Sequence, residues 1–157
     1  MVKYKVMNSL SRLLSKAVAT VFFVGYIPFA PGTFGALAGM VFIWLLKPAL
    51  PLLLTILAAG FAAGTVSAHY AEKAFGEKDC GHIVIDEFVG FLVSVVLLPQ
   101  TAGYLVSAFL LFRFFDILKP PPIRNIERAL NGGMGIMLDD VAAGIATNVV
   151  LQLAARI

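Results

Sequence analysis

The chain has 157 residues, 60% of them hydrophobic and only 13% charged, with a mean hydropathy of +0.92. Ordinary soluble domains carry roughly 25% charged residues, so this composition points to an integral membrane protein, with residues 1–157 forming a single domain. The net charge of +3 comes without a basic stripe interleaved with aromatics, which argues against nucleic acid as a partner; the lone Cys80 excludes an intramolecular disulfide and a cysteine-based zinc site.

Lys3, Lys5, Arg12 and Lys16 precede the first apolar stretch, 17–29. A signal peptide opens the same way, but Pro28 breaks the stretch and no small-x-small cleavage pattern follows, so the segment is expected to be retained. Further apolar stretches run over 34–46, 50–68, 83–98, 102–118 and 136–155. Pro31-Gly32, Lys47-Pro48, Pro51, Pro99-Gln100 and Pro120-Pro121-Pro122 punctuate them, because proline lacks an amide hydrogen and restricts the residue before it. Several stretches fall short of the roughly 20 residues that cross a bilayer comfortably. The expected fold is all-α: a small polytopic membrane helical bundle of about five short transmembrane helices, plus an N-terminal re-entrant or interfacial segment. Gly35-x-x-x-Gly39 and Gly60-x-x-x-Gly64 read as devices for close helix packing.

Loop charge sets the orientation. With the N-terminus inside, loops 1–33, 69–82 and 119–135 are cytoplasmic, and every Lys and Arg except Lys47 and Arg156 falls on or near that side. The same orientation gathers Asp79, Asp86, Glu87, Asp116, Asp139 and Asp140 within about one helical turn of the cytoplasmic interface. Lys119, Arg124 and the Gly32-Thr33 turn join them.

Two acidic pairs, Asp86-Glu87 and Asp139-Asp140, interrupt apolar runs. A carboxylate at the centre of a membrane helix costs up to about 2.5–3.5 kcal/mol, so the pairs need a strong partner, and a divalent cation fits. Asp79 reads as either a metal ligand or a helix N-cap, and Asp86 and Glu87 as either metal ligands or partners of a nearby Lys or Arg. Arg113, Asp116 and Lys119 share one helical arc at i, i+3, i+6; the bland alternative is a solvated surface stripe. Cations there, with Arg124 projected by the proline triplet, suit a phosphate that also touches a metal. The turn before the last stretch, with Gly133 and Gly135, can present backbone amides to an anion, although such turns often mark no more than a loop.

These residues give the expected site. Asp116, Lys119 and Asp86 are the expected catalytic residues; Arg113, Arg124, Thr33, Gly133 and Gly135 are expected to bind substrate; Asp86, Glu87, Asp139 and Asp140 are expected to hold Mg²⁺, a set that Asp79 joins only through a family resemblance. Asp86 stands where a cysteine-phosphatase loop built on Cys80 would need arginine, and His69 and His82 read as packing residues, which leaves metal-activated water as the simplest nucleophile. The alternative is a cation- or proton-coupled small transporter or channel, which needs polar residues across the whole bilayer; 93–98 and 149–153 are almost entirely apolar.

Four blocks then resemble the phosphatidylglycerophosphatase A family: Pro31-Gly-Thr-Phe-Gly35, Asp79-x-Gly-x-Ile-Val-x-Asp86-Glu87, Phe112-Arg-x-x-Asp116-x-x-Lys119-Pro-x-Pro-Ile123 and Gly132-Gly-x-Gly-Ile-Met-x-Asp139-Asp140-x-x-Ala-Gly144. The resemblance implies a Mg²⁺-dependent, multi-pass enzyme of the bacterial inner membrane with its active site facing the cytoplasm. It would hydrolyse the terminal phosphomonoester of phosphatidylglycerophosphate to phosphatidylglycerol. The six acidic residues would form its active centre with Lys119 nearby, and homo-oligomerisation is left open.

Overall fold

The computed structural model describes residues 9–77, 80–121, 123–125 and 132–156, and all regular structure among them is helical. The α-helices are α1 (Ser9–Ala19), α2 (Pro31–Leu46), α3 (Leu50–Phe75), α4 (Ile85–Ser94), α5 (Ala102–Leu118) and α6 (Gly133–Ala154). A short 3₁₀ turn, Val24–Tyr26, joins α1 to α2.

The first apolar stretch does not become a spanning helix. Helix α1 stops at Ala19, and Val21, Phe22 and Phe23 take left-handed backbone conformations that turn the chain. Thr20 is fully buried, and its Oγ1 accepts the Phe23 amide at 3.1 Å, which holds the turn. α1 lies along α3 through the buried alanines Ala19, Ala68 and Ala71. The carbonyl of Ala19 also accepts the Val84 amide at 2.9 Å, tying this N-terminal unit to the start of α4.

Two helices, α3 and α6, are long and apolar enough to cross a membrane. Helix α2, with 16 residues, is apolar but shorter. The 83–98 stretch yields only a ten-residue helix, about 15 Å long. Its end is tightened by the bonds Val95 N to Leu92 O and Val96 N to Val93 O, and Leu97 then turns left-handed. Helix α4 is therefore a short central post, packed against α2, α3, α5 and α6. Phe91 and Leu92 on it are fully buried, and Phe91 meets Phe112 of α5 edge to face at 6.5 Å.

Outward-facing positions carry Leu45, Val66, Leu110, Ile117 and Leu153, each more than half exposed. An apolar exterior over a packed helical interior is what a lipid environment selects.

Candidate active site

Glycines decide where the helices touch. A Cβ on Gly144 would overlap the carbonyl oxygen of Gly90, and one on Gly90 would stand 2.8 Å from the carbonyl oxygen of Asp140. Backbones of α4 and α6 can meet at that point only without side chains. Asp86 lies one turn before Gly90, and Asp140 one turn before Gly144, so the same contact draws the two carboxylates together. On α2, a Cβ at Gly32 would overlap Glu87 Oε1 and stand 3.4 Å from Arg113 Nη1. The start of α2 can thus close over the acidic end of α4.

The result is a pocket of about 340 Å³ at one end of the bundle. Its walls come from Ala30, Pro31 and Gly32 at the start of α2 and from Cys80, Gly81 and Ile83 in the turn before α4. Asp86 and Glu87 of α4 face Arg113, Asp116 and Lys119 of α5, with Ile136, Asp139 and Asp140 of α6 completing the ring. Asp140 lies seven residues into α6, about 10 Å from the helix start, whereas Asp86 and Glu87 sit in the first turn of α4 and Asp116 in the last turn of α5.

Three of the carboxylates have cationic partners. Arg113 Nη1 donates to Asp116 Oδ2 and lies 3.9 Å from Glu87 Oε1. Lys119 Nζ donates to Asp139 Oδ2 at 2.6 Å, joining α5 to α6, while Asp139 Oδ1 accepts the Asp140 amide at 3.1 Å. Other atoms are buried without a hydrogen-bond partner: Asp86 Oδ1, Glu87 Oε2, Asp140 Oδ2 and Arg113 Nε. Asp140 is only 3% exposed. Leaving such an atom unsatisfied costs about 1–3 kcal/mol, more when it is charged, and a cluster of three such carboxylate oxygens is a donor set that could hold a cation.

The donor set fits a hard divalent ion. One oxygen each from Asp86, Glu87 and Asp140 lie within 4.8 Å of one another. Ligand oxygens around Mg²⁺ stand up to about 4.2 Å apart, so a small side-chain adjustment closes the set. The chemistry also matches, since Mg²⁺ takes few carboxylates and leaves positions for water and phosphate oxygens.

Of the residues expected from the sequence, Asp86, Glu87, Arg113, Asp116, Lys119, Asp139 and Asp140 all line this pocket. Asp79 lies outside the described residues. Thr33 is not part of the lining; the neighbouring Gly32 is, through its missing side chain. Arg124 also lies outside the lining, exposed, with Nη2 3.4 Å from the Leu118 carbonyl. Gly133 and Gly135 do not line the pocket either. Gly133 instead lets α6 press on α3, where a Cβ would overlap the Thr65 carbonyl. His82 packs between Tyr26 and Phe75 with Nδ1 2.9 Å from the Gly25 carbonyl, a structural role. The positioning glycines Gly90 and Gly144 carry a signal the residue types alone did not: Asp-x-x-x-Gly occurs on both helices, at 86–90 and 140–144.

Fold and pocket together define an all-helical, membrane-associated domain with a buried carboxylate centre beside two cations. The chain belongs to the phosphatidylglycerophosphatase A family, whose pattern matches residues 17–155. It is 41% identical over 124 residues to "Phosphatidylglycerophosphatase A" of Escherichia coli K12, covering 77% of this chain and 72% of that one. The Haemophilus influenzae protein of the same name is 41% identical over 130 residues, covering 81% and 80%. A Bacteroides thetaiotaomicron protein bearing the provisional name phosphatidylinositol-3-phosphatase is 38% identical over 147 residues, covering 87% and 91%. No solved structure matches the chain significantly.

Proposed function

We propose that this protein hydrolyses the terminal phosphomonoester of phosphatidylglycerophosphate, giving phosphatidylglycerol and phosphate, with Mg²⁺ held by Asp86, Glu87 and Asp140. The observation that carries the reading is the cluster of unpartnered carboxylate oxygens on those three residues, beside Arg113 and Lys119, in a chain of this family. A bound Mg²⁺ supplies Lewis-acid chemistry: it offsets phosphate charge and makes water a better nucleophile.

The chain's own residues do the rest. Without a cation, five lining carboxylates against Arg113 and Lys119 would repel an anionic headgroup. Arg113 Nε is buried and unpartnered, in position to donate to a phosphate oxygen as charge builds on it. Lys119 neutralises Asp139 and keeps a cation at the rim. Asp116, oriented by Arg113, takes the proton of the attacking water. Water oxygen bonds to phosphorus, the bond from phosphorus to the glycerol oxygen breaks, and that oxygen leaves as a hydroxyl with a proton from solvent water, while Asp116 returns the proton it took to solvent.

The loop charges favour the bacterial inner membrane with the pocket facing the cytoplasm, since the sequence puts most Lys and Arg in 1–33, 69–82 and 119–135, the loops on that side. The test is phosphate release from detergent-solubilised phosphatidylglycerophosphate, assayed beside phosphatidylinositol 3-phosphate because one relative carries that name. Release from the first lipid, lost with EDTA and restored by Mg²⁺, is the expected result. No release sinks the activity; release indifferent to EDTA sinks the metal while leaving the substrate standing.

A further inference from the structure

Beside the charged pocket lies a second cavity of opposite character, about 350 Å³ in volume and lined by apolar residues. It runs along the seam of α5 and α6, bounded by Phe115 and Pro120 on one side and Ala142 and Ala146 on the other. Ile123, only 3% exposed, lies in its wall, and Ile145, 53% exposed, stands at its rim. The two linings have no residue in common but are neighbours along the chain: Phe115 precedes Asp116, Pro120 follows Lys119, and Ala142 and Ala146 follow Asp139 by one and two turns on the same helix face. The 2.6 Å Lys119–Asp139 bridge spans the same seam at the pocket end. From that bridge, α6 continues away from the pocket into its apolar length, and the alanines at 142 and 146 leave the room that larger residues would fill.

A charged pocket and an apolar groove set one helical turn apart along α6 make a two-part site for an amphiphile. We propose that the α5–α6 groove seats an acyl chain of the lipid whose phosphate occupies the carboxylate pocket. This rests on the function proposed above and adds to it how the substrate is held. The volume lies in the range of small-molecule sites, and the lining offers van der Waals contact and almost no polar group. A soluble phosphate monoester has no use for such a groove. The groove also fixes the direction of approach: the lipid arrives sideways from the bilayer, with its head passing the Lys119–Asp139 bridge.

Two measurements test this on the full-length protein in detergent. The first uses phosphatidylglycerophosphate carrying a diazirine on one acyl chain. Photolabel should fall on peptides containing Ile123 and residues 142–146, and should be displaced by unlabelled phosphatidylglycerophosphate but not by phosphatidylcholine. Label spread over the outer faces of α3 and α6, or displaced equally by both lipids, overturns the proposal. The second compares long-chain with dibutyryl phosphatidylglycerophosphate. Ala146→Trp should shrink the KM preference for the long-chain lipid on the order of tenfold. Ala146→Leu should do so more weakly, and serves if the tryptophan variant does not fold. An unchanged preference in a folded variant counts against the groove. Labelling needs no turnover, so groove labelling without phosphate release would reject the activity and keep the groove. Release without groove labelling would do the reverse.

Discussion

The two halves of the α4–α6 seam use the same materials to opposite ends. Both bury polar side chains between the same two helices. In the inner half every such group is satisfied. Ser94 Oγ donates to the Phe91 carbonyl at 2.6 Å, Thr147 Oγ1 to Ala143 at 2.9 Å, and Asn148 Nδ2 to the carbonyls of Ser94 and Val96 at 3.0 and 2.7 Å. In the outer half Asp86, Glu87 and Asp140 keep oxygens without partners. The inner half is a structural cap, because α4 stops after ten residues and its last carbonyls need donors. The outer half is finished only by something from outside the chain. The difference also disposes of a through-path, for the polar residues beyond the pocket are consumed by backbone carbonyls rather than lining a channel.

The largest effect should break the outer half without harming the fold. Asp86→Asn or Asp140→Asn is expected to lower the rate of phosphate release by about 10²–10³-fold, the scale of losing one charge-stabilising group in an active site. Unlike a core mutation, it should leave the melting temperature of the metal-free protein unchanged or raise it, since a buried like-charge cluster is relieved. Full activity in either variant would remove the metal centre from the proposal.

Gly144→Ala acts on both halves at once. The new methyl would overlap the Gly90 carbonyl and stand 3.0 Å from Val93 Cβ, so α4 and α6 must part. Overpacking of this kind costs about 1–3 kcal/mol, and parting the helices also spreads Asp86 from Asp140. Stability by detergent melting and activity should therefore fall together. Loss of stability with activity per folded molecule intact would show that the glycine contact does not set the carboxylate spacing.

Much of this was legible in the sequence, for identifiable reasons. The all-α class follows from proline-punctuated apolar runs, and the carboxylates stood out because charge inside apolar runs demands a partner. Seven of the expected site residues line one pocket: Arg113, Asp116 and Lys119 share a face at i, i+3, i+6, while the adjacent pairs Asp86-Glu87 and Asp139-Asp140 reach it because α4 and α6 meet at Gly90 and Gly144. What the sequence could not show was which glycines serve the ligand and which serve packing. Gly133 and Gly135 follow the turn of an anion-binding loop, yet Gly133 faces the Thr65 carbonyl on α3. Arg124 follows the proline triplet, but the turn sends it to the surface. Both outcomes depend on how distant segments meet. Nor did hydropathy reveal that 83–98 stops being helical after Ser94, because Asn148, the donor that satisfies its carbonyls, lies more than fifty residues away.

Asn148→Ala tests the inner half directly. Two carbonyls, at the last residue of α4 and just past it, lose a part-buried donor, at a cost of about 1–3 kcal/mol for the two bonds together. Phosphate release per folded molecule should change by less than about twofold, because the pocket lies two turns away. A large fall in turnover without loss of stability would show that the two halves are one functional unit.

The smallest expected effect tells whether Asn148 works alone. Gln152 Nε2 donates to Asn148 Oδ1 at 2.9 Å, one turn further along α6, and so fixes which edge of the amide faces α4. Gln152→Ala removes that support but leaves both carbonyl bonds able to form, so a loss of about 0.5–1.5 kcal/mol is expected. In the Asn148→Ala background the same substitution should do almost nothing, because its partner is already gone. That non-additivity, read in a double-mutant cycle of melting midpoints, is the signature of a connected cap. Additive losses would mean that Gln152 stabilises α6 by itself, and the inner half would reduce to one asparagine holding the end of a helix that stops too soon.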